Sequence, residues 1–329
     1  MRPDPGFPAP PPDGAPAGRA RRRIPIPPVP LAILLFLATF FFTTTLGPGW
    51  TLRIRTDVMT DLGELVTPDM VQRVWSNPTL LRLGLSFSLP VLLILLCHEL
   101  GHYLTCRRFG LRATPPYFLP LPLALGTLGA FIRIKTPIRS KRELFDVGIA
   151  GPIAGFLTLL PFLVYGMKRS FPAEIDLAGD GFPVAWLYLP GSSLGMEILA
   201  RWFHGPLPTG TVLNLHPFAL AAWVGMLVTA LNLLPLAQLD GGHVLYAISP
   251  RCHRLAGRWL WVALLAGVFV WPGWAIWAVL VLVLGLRHPP VIDEARPLDA
   301  RRKALAVLAL LIFLFCFMPK PLDIVGLEL

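Results

Sequence analysis

The sequence predicts an all-α polytopic membrane protein, with about six to seven transmembrane helices and a re-entrant β-hairpin or loop after the second of them. Three observations carry that expectation. Of the 329 residues, 54% are hydrophobic and only 15% charged, and the mean hydropathy is +0.63; soluble domains are nearer to about a quarter charged. Several apolar runs approach or exceed the roughly 20 residues that cross a bilayer. Basic residues gather at the ends of those runs, not in one patch. The net charge of +10 therefore reads as the positive-inside bias of membrane loops, and no nucleic-acid partner is expected.

The elements follow in order. Residues 1–30 are dominated by Pro, Gly, Ala and Arg, a composition that cannot bury a core, so a disordered tail is expected there. Arg21–Arg23 precede the first apolar run, which places the N-terminus in the cytoplasm. No small-residue cleavage site follows the run, which favours an uncleaved anchor. The first span is expected at about 31–47. The loop 48–80, with Asp57, Asp61, Glu64 and Asp69, falls on the far side and completes a first unit, 31–80. A second span at about 81–104 returns inward and ends at Arg107, Arg108 and Arg112.

Residues 114–145 hold five prolines, too many for a spanning helix. Within them "AFIRIKT" alternates apolar and polar residues, the period of a strand. A third span, about 144–167, contains "GIAGPIAG", a run of small residues that lets helices approach closely. The loop 168–213, with Glu174, Asp176, Asp180 and Glu197, suits the outside. A fourth span, about 216–248, is interrupted at "NLLPLAQLDGGH" and followed by Arg251, Arg254 and Arg258. Residues 259–286 are apolar around Pro272–Gly273 and are expected to form a pair of short helices. The basic segment Arg296–Lys303 is expected on the cytoplasmic side, and a last span at about 304–318 closes the chain. No repeat suggests an inverted-repeat transporter.

Chemistry concentrates in "LLCHELGHYL". His98, Glu99 and His102 spell HExxH. On a helix, residues i and i+4 share a face about one turn apart, so both imidazoles can point at one zinc ion. Glu99 is then placed to take a proton from a water activated by the metal. A bare HExxH arises by chance in soluble proteins, but three unpartnered polar groups in lipid are costly, so at this depth they are expected to face an ion or a partner. A catalytic zinc commonly takes a third protein ligand and keeps one position open. Asp240, the only acid in the fourth span, is the candidate; its alternative role is a helix cap at the break made by Pro235 and Gly241–Gly242. One zinc per chain is expected.

His243 follows Asp240 by three residues. As a fourth ligand it would close the site, so it reads as a residue beside the ligands or at an interface. His204, His216, His253 and His288 read as ordinary solvated histidines. Cys97, Cys106, Cys252 and Cys316 show no CxxC spacing. Cys97 lies one residue from His98 and therefore about 100° around the helix, so packing roles are expected for the cysteines.

HExxH in one apolar run and N-x-x-P-x-x-x-L-D-G-G in a later one resemble the site-2 protease family of intramembrane zinc metalloproteases, peptidase family M50. The stretches "PPYFLPLPLALGTLGAFIRIKTPI", "FDVGIAGPIAGF" and "LNLLPLAQLDGGHVLYAI" are similar to the bacterial and plastid branch of ethylene-dependent gravitropism-deficient and yellow-green-like proteins. The similarity covers roughly residues 85–250. It implies that His98, His102 and Asp240 hold zinc and that Glu99 is the general base. It also implies that 81–250 is the catalytic membrane core and that 251–329 adds C-terminal spans.

Asn232 resembles the family asparagine near the scissile peptide, where it would hold substrate or stabilise the oxyanion; its alternative is an interhelical hydrogen bond. The segment Phe131, Ile132, Arg133 and Ile134 fits the family's re-entrant strand, whose edge would pair with an unwound substrate; its alternative is an amphipathic surface strand. The implied activity is endoproteolysis within or beside a transmembrane segment of a membrane protein. The rival reading is a non-proteolytic metal-binding protein or divalent-metal carrier, which does not need Glu99. A bacterial inner membrane is the expected location, because a plastid transit peptide would be richer in Ser than this N-terminus.

Overall fold

The computed structural model describes residues 28–51, 65–174, 186–284, 288–289, 291–293 and 297–326. The expected tail up to residue 27, the acids Asp57, Asp61, Glu64, Asp176 and Asp180, and Arg296 lie outside them. The first apolar run is helix α1 (Pro28–Thr51), and a short helix, α2 (Pro68–Ser76), follows. Thr67 caps α2 by accepting the Met70 N–H. The long helix α3 (Pro78–Arg108) starts where Asn77 accepts the Thr79 N–H at 2.9 Å and Pro78 needs no partner for a missing N–H. It ends on Arg107 and Arg108, whose charge suits a helix C-terminus.

Strands β1 (Tyr117–Pro120) and β2 (Thr127–Phe131) form an antiparallel hairpin, and α4 (Lys141–Arg169) follows. Ser140 caps α4 through the Glu143 N–H, while the Glu143 carboxylate accepts the Arg139 N–H at 2.9 Å. The stretches Val29–Trp50, Pro78–Arg108 and Lys141–Arg169 are long and apolar enough to cross a membrane.

Beyond α4 come β3 (Phe171–Glu174), β4 (Trp186–Pro190), α5 (Leu194–His204) and β5 (Thr211–Asn214). The interrupted fourth run is two helices, α6 (Pro217–Leu233) and α7 (Asp240–Ile248). The run around Pro272–Gly273 is the expected pair, α8 (Pro250–Gly267) and α9 (Trp274–Leu284), although α8 begins nine residues earlier than the apolar stretch because Ser249 caps it through Cys252. Helix α10 (Ala300–Cys316) and strand β6 (Leu322–Gly326) end the described chain. β3 pairs antiparallel with β5, and β4 with β6.

The described chain is thus mostly helical, as expected, and among the described residues three two-stranded sheets accompany the helices: the hairpin and two that the all-α expectation lacked. Two of them join segments far apart in sequence, a pairing that no local pattern announces. The core lies where α3, α4 and α6 meet, around Phe87, Phe145, Leu159, Met226 and Trp223, all buried. The Trp223 indole N–H donates to the Gly191 carbonyl at 2.9 Å. Helix α1 flanks α3 through a hydrogen bond from Thr44 to Ser88 at 2.8 Å. The β1–β2 hairpin packs on α1: Phe118 is buried edge-on against Phe36, and the Trp50 indole donates to the Ala124 carbonyl.

The strand itself lies earlier than the alternating "AFIRIK" suggested. The ladder ends at Tyr117 opposite Phe131. The next residues on the first strand are Pro116 and Pro115, which have no N–H to contribute. Ile132 and Arg133 therefore leave the ladder. The Arg133 N–H donates to Thr114 Oγ1 at 2.9 Å, and Ile134 makes an isolated bridge with Ala113.

Candidate metal centre

His98 and His102 lie one turn apart on the buried face of α3, with their Nε2 atoms 3.2 Å from each other. The chain brings Asp240 to them from a point 142 residues later: its Oδ2 is 3.2 Å from His98 Nε2 and 3.3 Å from His102 Nε2. These three side chains, the histidines buried and Asp240 half-buried, form a donor cluster able to hold a metal ion. Two imidazole nitrogens and one carboxylate are the donor set that zinc prefers.

The tautomer of His102 follows from its other nitrogen. Nδ1 lies 2.7 Å from the Val147 carbonyl, which can only accept, so the proton sits on Nδ1 and the Nε2 lone pair faces Asp240 and His98. Asp240 owes its place to the break between α6 and α7. Pro235 interrupts the helix, Ala237 takes a left-handed φ of 48°, and α7 restarts at Asp240 itself. His253 on α8 secures that turn: its Nε2 donates to the Ala237 carbonyl at 3.1 Å.

Helix α4 closes the other side with the small residues of "GIAGPIAG". A methyl group at Gly155 would stand 3.0 Å from His98 Nδ1, one at Gly148 would stand 2.7 Å from the His243 Cβ, and one at Gly151 would overlap His102 Nε2 outright. The sequence reading took this run as generic helix packing. Here its glycines are what lets the imidazoles sit between two helices.

The remaining predicted site residues are placed unequally. Glu99 is buried beside His98 but is not one of the three converging donors. Its carboxyl accepts the backbone N–H of Ile132, the amide freed from the hairpin ladder. Asn232, in the last turn of α6, lies with its amide 3.4 Å from His98 Nε2. Of the strand residues, Ile132 alone reaches a site side chain; Phe131 pairs with Tyr117, and Arg133 and Ile134 bond the 113–114 segment.

His243 stays out of the donor set and faces His288, Nδ1 to Nε2 at 2.8 Å. One histidine expected in solvent is not there. His253 is fully buried, and the His288 ring stacks on Tyr246 with centroids 4.3 Å apart. The burial of His253 depends on where the α7–α8 turn folds back, which local polarity does not reveal. Of the four free cysteines, Cys106 and Cys316 are buried, as a packing role expects, whereas Cys97 is half-buried and Cys252 is exposed.

Comparison with known proteins bears on this cluster. The family model described as Peptidase family M50 matches residues 86–269, which include both HExxH and Asp240. The chain belongs to peptidase family M50. It is 32% identical over 259 residues to "Probable zinc metalloprotease EGY2, chloroplastic" of Arabidopsis thaliana, covering 77% of this chain and 45% of that protein. It is 31% identical over 301 residues to "Probable zinc metalloprotease EGY1, chloroplastic" of the same plant, covering 88% and 53%. A rice relative from Oryza sativa subsp. indica, again named EGY2, is 29% identical over 305 residues, covering 89% and 54%. The M50 chain thus spans about half the length of the curated relatives it matches. Family membership and the donor set agree on zinc as the metal, and the metal-carrier reading is not favoured.

Proposed function

We propose that this chain is an intramembrane zinc endopeptidase that hydrolyses a peptide bond within or beside a transmembrane segment of a membrane-protein substrate. The carrying observation is the meeting of His98, His102 and Asp240 within 3.3 Å, with Glu99 buried alongside. When bound there, zinc supplies Lewis acidity to the scissile carbonyl and acidity to the attacking water. Glu99 takes the proton of that water and returns it to the leaving amine. Asn232, whose amide lies 3.4 Å from His98 Nε2, holds the substrate carbonyl or its developing charge. The β1–β2 hairpin is a re-entrant element whose edge offers backbone hydrogen bonds to a substrate chain that has lost its helical ones.

In this reading residues 81–250 are the catalytic core, flanked by the 31–80 anchor unit and the 251–329 C-terminal spans, with six to seven crossings in all. The contact of Arg302 with Asp146 sets the start of α10 beside the start of α4, which supports one shared cytoplasmic side for Arg107, Arg108, Arg142 and Arg302. The N-terminus is then cytoplasmic, the metal lies toward that face, and a bacterial inner membrane is the home we favour.

The test is zinc content and cleavage measured together. Purified protein should carry about one zinc per chain and cut a transmembrane reporter in proteoliposomes. A chelator should stop the cutting and zinc should restore it. Asp240→Ala should lose both metal and cleavage, since it removes the one ligand that α7 contributes. Zinc retained at the wild-type level in that variant would move the third ligand elsewhere and overturn the assignment.

A further inference from the structure

At the basic end of the bundle, one turn beyond the donor cluster, the last turn of α3, the first turns of α4 and the first turns of α10 line a cavity of about 400 Å³. Its charged lining is asymmetric. Arg302 is already engaged: its Nε lies 2.8 Å from Asp146 Oδ1, its second nitrogen 2.5 Å from Oδ2, and it also pairs with Asp299. Arg108 and Arg301 are exposed, line the same cavity, and have no hydrogen-bond or ion-pair partner among the described residues. Three guanidinium groups against two carboxylates leave one positive charge in excess, presented by the two free arginines.

The apolar surroundings are equally directional. Ile149 and Leu305 line the cavity. One turn deeper along the helices, Leu104 on α3 and Leu308 on α10 are exposed. Arginine pairs at the polar end of apolar helices, above exposed leucines, match an amphiphile whose phosphate sits at the arginines and whose chains run down the helix faces.

We propose that this cavity binds the phosphodiester headgroup of an anionic phospholipid, with Arg108 and Arg301 on the phosphate. The site would not be a passive anchor. Thr105, in the cavity wall, lies three residues beyond His102, and Asp146 precedes Val147, whose carbonyl orients that imidazole. A headgroup bridging α3 and α10 across the start of α4 therefore braces the two helices that hold His102. That coupling to activity rests on the proteolytic reading above; the binding itself does not.

The experiment uses the full chain reconstituted in phosphatidylcholine with or without phosphatidylglycerol, with retained lipid counted by native mass spectrometry. A photoactivatable phosphatidylglycerol maps the contact. The wild type should retain phosphatidylglycerol and cross-link within 104–109 and 301–308. Arg108→Gln combined with Arg301→Gln should lower affinity on the order of thirtyfold, from the attraction each arginine near a surface contributes. Arg251→Gln with Arg254→Gln, an equal charge change on α8, should have little effect.

Equal loss in the two double variants would reduce the effect to bulk attraction and overturn the site. Displacement of the lipid by millimolar inorganic phosphate would also overturn it, because the ligand would then be a free anion. Zinc content of each variant reports whether the core still folds, and the cross-linking arm decides the question in the unaltered protein. A transmembrane reporter left uncut in every lipid, with cross-linking intact, would fault the protease reading alone.

Discussion

Glu99→Gln should leave zinc in place and reduce cleavage of a transmembrane reporter by about 10²- to 10⁴-fold, the range that a positioned general base contributes. The two halves of that expectation come from different features. Zinc is retained because Glu99 is not among the three converging donors, and glutamine has nearly the same volume in a buried position. The amide oxygen can still accept the Ile132 N–H, so the local backbone has no reason to move. Only proton acceptance is lost. Glu99→Asp is the companion: it keeps a carboxylate but withdraws it by one methylene from both the water and Ile132, so it should fall between wild type and glutamine. The measurement is the initial rate of reporter cleavage beside metal content of the same preparation. A glutamine variant cutting within about tenfold of wild type would remove Glu99 from the base role, since that lies below what such a base supplies. Loss of zinc along with activity would instead make Glu99 part of the metal's support.

The centre was legible in the sequence to the degree that its geometry is local. HExxH needs only a helix to bring two imidazoles to one face, and α3 is a helix for reasons visible in the chain: the Asn77–Pro78 start, the apolar run and the arginine end. Asp240 was legible for another reason, as a lone acid in an apolar stretch beside helix-breaking residues. What the pattern hid was non-local. The Val147 carbonyl that sets the His102 tautomer belongs to a backbone group, which no residue type marks. Burial of His253 follows from its hydrogen bond to Ala237 across a turn. Alternation places the strand too late because the controlling residues, Pro115 and Pro116, sit on the opposite strand. A reading that asked which residues can supply N–H groups would have ended the ladder at Phe131. The small sheets pairing β3 with β5 and β4 with β6 carry no short-range signature at all.

Among the α4 glycines that face the histidines, an added side chain is expected to have its largest consequence at Gly151. Its position on α4 faces His102 so closely that a Cβ would overlap Nε2, the atom turned toward Asp240 and His98. That nitrogen has nowhere to go: Nδ1 of the same ring is fastened to the Val147 carbonyl four residues earlier on α4, so retreat of the ring breaks that bond. Retreat of α4 as a body would open the close seam it shares with α3, where even a Cβ at Gly101 would be 2.5 Å from the Ala150 carbonyl. Gly151→Val should therefore abolish zinc binding and cleavage together, although it replaces no ligand and adds a residue favourable to lipid. Gly155→Ala is the graded comparison. Its added methyl meets His98 Nδ1 at 3.0 Å, a distance that a slight shift relieves, so it should retain zinc with weakened affinity. Equal zinc content in wild type and Gly151→Val would mean that the α3–α4 contact is looser than this geometry requires, and that the run of small residues serves helix packing alone.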